Sequence, residues 1–112
     1  MNGIIINPHT ESVLAVVLDQ EDVLSHLRQL IGCRYVTVII PNQGMTMYAD
    51  EEALFKQQPG FTFTTWVPGT DFSQAIAVIG IAIIVGPPDN EGNDTDALCT
   101  PSTVQALVQW DP

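Results

Sequence analysis

The spacing of apolar positions switches between two periods along the chain, and the switches set the expected elements. Gly3 to Asn7 and Ser12 to Leu18 read as two strands. Between them Asn7-Pro8-His9-Thr10 favours a turn, because Asn can bond nearby backbone and Pro presets φ. The nearly continuous apolar run from Val13 to Leu18 predicts a strand covered on both faces, at a sheet centre. The period then lengthens. Val23, Leu24, Leu27, Leu30 and Ile31 form one stripe at helical spacing, with Asp19 as the expected N-cap and Gly32 as the stop. Tyr35 to Ile40 is a β-branched strand, Pro41 to Gly44 turns the chain, and Met45 to Ala49 returns.

In the second half, Asp50-Glu51-Glu52 opens an expected short helix to Lys56 or Gln57, ended by Pro59-Gly60. Phe61 to Val67 alternates like a strand but also fits an extended loop that packs Phe61, Phe63 and Trp66. A helical turn is expected at Asp71 and a buried strand over Ile79 to Val85. Residues 89–96 form a polar acidic loop, and Thr100-Pro101 starts a last helix to about Gln109, Pro being favoured at a first helical position. The order ββα-ββα-β-α predicts one α+β domain over residues 1–112, with two to three helices on a mixed or mostly antiparallel sheet.

Charge changes the picture of partners. Thirteen acids face three bases, Arg28, Arg34 and Lys56, for a net charge of −10. Such a surface repels phosphates and anionic headgroups, so neither direct nucleic-acid binding nor membrane binding is expected. The longest apolar run, Ala75 to Gly86, is well short of the roughly 20 residues of a membrane span. The first residues lack the basic stretch of a secretory signal. Cys33 and Cys99 form no ligand-spaced motif and read as small apolar residues. The expected compartment is the cytoplasm. A mean hydropathy of +0.19 is high for so acidic a chain, and self-association would cover surplus apolar surface.

Four blocks resemble the small domain-of-unknown-function family 3846, found in genomes of phages, plasmids and their bacterial hosts. IIINPHTESV is similar to its opening strand-turn-strand, and LDQEDVLSHLRQLIG to its amphipathic helix ending in Gly. YVTVIIPNQGMTMYADEEALFK resembles its hairpin and acidic helix start, and IIVGPPDNEG its late strand and acidic turn. Phe61 to Val78 departs from the pattern, where the family carries a shorter, more polar helical segment. The resemblance implies a mobile-element setting and brings no catalytic residues.

Candidate chemistry is sparse. No P-loop, HExxH or GxSxG motif is present, so no catalytic residue is assigned and no cofactor is expected. Asp50, Glu51 and Glu52, with Asp19, Glu21 and Asp22 as their counterpart, could imitate DNA phosphates; they also stand where helix dipoles favour acids. Asp89, Glu91, Asp94 and Asp96 offer hard oxygen ligands on a loop and suit Ca2+, although the EF-hand pattern fails. His26 follows Asp22 by four residues, a helical contact spacing. Trp66 and Trp110 are either core residues or partner-binding anchors.

Two functions follow as expectations. The first is a non-enzymatic protein-interaction module of a mobile element, binding a basic host protein through Asp50, Glu51, Glu52, Trp66 and Trp110, with a DNA-mimicking inhibitor as its sharpest form and a homo-oligomer as an option. The alternative is a small-ligand or Ca2+-binding module using loop 89–96.

Overall fold

The first hairpin forms as its turn chemistry predicts: β1 (Asn2–Asn7) pairs antiparallel with β2 (Ser12–Val17), Ile4 opposite Ala15 and Ile6 opposite Val13. The computed structural model describes every residue except 43 and 67–69, and of residues 42 and 66 only the backbone. The other strands are β3 (Val36–Asn42), β4 (Met45–Asp50), β5 (Gly60–Trp66), β6 (Ser73–Ile79), β7 (Ala82–Val85) and β8 (Val108–Trp110). Two α-helices, α1 (Val23–Ile31) and α2 (Pro101–Gln105), and a 3-10 turn at Ala53–Phe55 complete the described elements. The fold is α+β, and both of its sheets are antiparallel, in the orders β2-β1-β7-β4-β3 and β6-β5-β8. No described helix is long and apolar enough to cross a membrane.

Alternation along the strands builds three layers. Ile4, Ile6, Met47, Ala49, Ala82 and Ile84 point from the larger sheet toward Phe61, Phe63 and Val78 of the smaller one and Val104 of α2. Their neighbours Ile5, Tyr48, Ile83 and Val85 point the other way, onto Leu27 and Ile31 of α1. This period of two explains why β7 reads as continuously apolar: it is covered on both faces.

Several expectations are corrected. β2 is an edge strand, not a central one, with Leu14 and Val17 exposed, because the second side of β1 is taken by β7 from late in the chain. The expected helix after Asp50 shrinks to one 3-10 turn, since Asp50 itself ends β4 and Lys56 is already extended. Phe61 to Trp66 takes the strand alternative. The expected helical turn at Asp71 is replaced by β6, which pairs with β5. Ile79 and Ala82 to Val85 fall in different sheets, parted by Gly80, whose φ of 83° suits glycine. The last helix stops at Gln105, after which the chain pairs with β5 as β8. The order is therefore not ββα-ββα-β-α.

The main helix starts at Asp22, whose carboxylate accepts from Ser25 N, and ends in left-handed Gly32. Asp19 instead accepts from Glu21 N in its own turn, and its backbone N–H donates to His26 Nδ1 at 2.9 Å. The ring of His26 is thus held by backbone rather than by Asp22. The two cysteines are free, Cys33 packed beside α1 and Cys99 on the opposite face.

Candidate functional site

Residues 50–52 do not form a row of free carboxylates. Asp50 points inward from the end of β4, its side chain only 2% exposed, and its Oδ2 receives Lys56 Nζ at 2.5 Å. That bond holds the Lys56 pKa above its ordinary value. Asp50 Oδ1 also accepts from Glu52 N, which fixes the turn that follows. Glu52 accepts two bonds from Arg34, at 3.1 and 3.2 Å, and Arg34 lies over the Tyr35 ring. Glu51 alone of the three is exposed without a cation. Arg28 sits in the last turn of α1 and Lys56 also reaches the Gly32 carbonyl, so all three bases gather at the C-terminal end of that helix.

The acids of loop 89–96 take a different course. Asp89 Oδ1 accepts from Glu91 N and Asn93 N, both at 2.9 Å, and these N–H groups, that of Asn93 foremost, hold its pKa below the ordinary value. Asp94 accepts from the Tyr48 hydroxyl. Burial, then that bond, push the phenol well above its usual range. Asp96 Oδ1 accepts from Asn2 N at 2.8 Å, and Ala97 N donates back to the Asn2 carbonyl. Glu91 stays exposed. Each carboxylate faces its own donor, and among the described residues no three His, Cys, Asp or Glu side chains come together to hold a metal ion. The expected Ca2+ site at Asp89, Glu91, Asp94 and Asp96 is not assembled.

These bonds lay the loop across one end of the larger sheet, beside the start of α1. Met1, Gln20 and Val23 on one side and Asn93 to Asp96 on the other line an open cleft of about 520 Å3. A second hollow, lined by Asp19, Asp22, Ser25, His26 and Gln29, adjoins the same helix start. Two segments distant in sequence thus meet at the helix start, where Asp94 and Asp96 line the cleft and Asp19 and Asp22 line the hollow beside it. Among the described residues no Lys, Arg or His side chain lines the cleft, and the cation at its rim is the Met1 ammonium, which donates to the Leu18 carbonyl. Sequence reasoning found both segments but not their meeting; the bonds that tie them down, Tyr48 to Asp94 and Asn2 to Asp96, join residues 46 and 94 positions apart.

The tryptophans divide. Trp110 is half-buried and meets Phe61 edge-on, ring centres 6.1 Å apart, so it finishes the core between the sheets. Trp66 pairs with Ser73 through its backbone, and its side chain lies outside the described residues.

No curated protein and no solved structure matches the chain. A family model does: it covers residues 1–108, and the chain belongs to the family described as a domain of unknown function, DUF3846.

Proposed function

We propose that this chain is a non-enzymatic interaction protein that docks its acidic end on a basic surface of a protein partner. One observation carries the reading: Asp94 and Asp96 line a cleft with Gln20 and Val23, and Asp19 and Asp22 line the hollow beside it, while Arg28, Arg34 and Lys56 gather at the far end of α1. The charge is therefore polarised. Backbone N–H groups and a phenol hold the loop acids in place but carry no full charge to cancel theirs, and the Met1 ammonium at the cleft offsets only part of it, so the field of that end persists. The phage and plasmid setting implied by the resemblance suits a partner in host machinery. A partner that ordinarily binds DNA is the sharpest form of the proposal.

The experiment is affinity capture from bacterial lysate at low and high salt. Glu21→Lys/Glu91→Lys alters the acidic end, and Glu51→Lys/Asp71→Lys alters exposed acids elsewhere. Binding that vanishes in high salt and in the first variant only is expected, because screening shortens from about 10 Å at 0.1 M to about 3 Å at 1 M salt. Capture that is indifferent to the Glu21/Glu91 reversal overturns the proposal. Added duplex DNA should release the partner if it is a DNA-binding protein.

A further inference from the structure

The larger sheet has two edges, and they are treated differently. The β2 edge lies beside α2, which packs against it. Among the described residues the β3 edge has no neighbouring strand. Its hydrogen-bond parity can be read directly. Glu51 N donates to the Tyr35 carbonyl at 3.0 Å, so Tyr35, Thr37 and Ile39 turn their main-chain groups toward β4. Val36 and Val38 therefore turn theirs away from the sheet, and a register shift between Ile39 and Asn42 ends this regular alternation. On the same strand the Val38 and Ile40 side chains are 54% and 64% exposed.

Edge strands are ordinarily guarded by charge, by Pro or by a covering segment. Val36 to Asn42 carries no charged residue, in a chain with thirteen acids and three bases. Pro41 and the register shift between Ile39 and Asn42 come after Val36 and Val38, so they bound the open stretch without blocking it. The helix layer rests on β4 and β7 and leaves the outer part of β3 uncovered.

We propose that β3 is a self-association edge, paired antiparallel with β3 of a second copy about a two-fold axis at Val38. Three features select a second copy. First, the register is self-complementary: at the axis the outward Val38 N–H and carbonyl of each copy meet the carbonyl and N–H of Val38 in the other. Second, the same register places exposed β-branched side chains in cross-strand pairs. Third, each copy carries −10, so a stable contact must form where the acids are absent, and this strand is neutral. The edges of the smaller sheet, β6 and β8, are uncharged too, but their exposed residues, Ser73, Gln74, Ala75 and Ala77 on β6 and Gln109 on β8, offer far less apolar surface. The pairing would join two five-stranded sheets into one. It does not depend on what the acidic end binds.

Sedimentation of the full chain from about 1 to about 100 µM should show a monomer–dimer equilibrium, as expected when association is linked to protomer concentration. Val38→Lys, which sets two ammonium groups against each other at the axis, should leave a folded monomer throughout, with its circular dichroism unchanged because Val38 is exposed. Hydrogen exchange gives the finer readout: the amide of Val38 should slow as concentration rises, while those of Thr37 and Ile39 are slow at every concentration. A monomer at all concentrations overturns the proposal, as does a dimer that survives Val38→Lys with fast exchange at position 38.

Discussion

Residues 50–52 and 89–96 are both acid-rich, and the fold uses them in opposite ways. In the first, Asp50 is buried against Lys56 and Glu52 is clamped by Arg34, so two of three acids meet two of the chain's three cations. In the second, the described contacts of Asp89, Asp94 and Asp96 come from N–H groups and a phenol. A hydrogen bond satisfies a carboxylate's lone pairs without cancelling its charge. The first region is therefore nearly neutral at short range, and the second keeps its field. Counting acids along the sequence cannot separate the two cases; the nearest donor can.

The comparison breaks most visibly at Asp50. Replacing one partner of a buried ion pair leaves the other uncompensated, at a cost of roughly 3–5 kcal/mol when both are fully buried. Lys56 reaches solvent, with 38% of its side chain exposed. We therefore expect Asp50→Ala to cost about 2 kcal/mol in urea unfolding, once part of the pair is screened by water. Glu51→Ala should cost far less. Equal losses for the two would mean that Asp50 is not the anchor of this turn.

Tyr48 tests the other region at intermediate size. Tyr48→Phe removes the donor to Asp94 while keeping the ring on α1, and a hydrogen bond to a charged group is worth about 1.5–3 kcal/mol at most. We expect about 1 kcal/mol, since Asp94 is only partly buried and can turn to water. The pH dependence adds a signature. The phenol holds its proton more tightly folded than unfolded. Its stabilisation is therefore complete below the ordinary phenol value near 10 and is lost as pH rises through the higher folded value. Alkaline unfolding of the wild type should show this loss, and Tyr48→Phe should not.

How much of this was legible beforehand follows from the range of the interactions. Val23, Leu24, Leu27, Leu30 and Ile31 marked α1 because a helical stripe is local, and Gly32 marked its end for the same reason. Val13 to Leu18 misled: an apolar run says that a strand is covered, not by what, and the β7 strand that displaces β2 to the edge lies some sixty residues further on. Gly80 was the available signal that Ala75 to Gly86 holds two strands, because a glycine in mid-run marks a break. The brief β8 had no pattern to read. Loop 89–96 stood out by composition, but its meeting with Gln20 and Val23 depends on Tyr48 and Asn2, which nothing local links to it. The open edge of β3 was hidden likewise, since parity and exposure appear only once β4 is in register.

Asp89 gives the smallest and most selective test. Its carboxylate closes the loop's turn by accepting from Glu91 N and Asn93 N, and those donors hold its pKa below the ordinary value. The folded pKa being depressed, the stabilisation is fully present above the ordinary carboxylate value near 4 and is lost as pH falls through the lower folded one. Asp89→Asn keeps an oxygen acceptor in place and removes the titration. Its melting temperature at neutral pH should stay within a degree or so of wild type, as for a surface change that spares the turn. The acid-side decline should become shallower. Capture of a basic partner should weaken slightly, one charge having left the cleft end. Asp50→Asn should do the reverse, costing stability and sparing capture. If Asp89→Asn lowers stability at neutral pH as much as Asp50→Asn does, the loop acids are structural in the same sense, and the contrast between the regions fails.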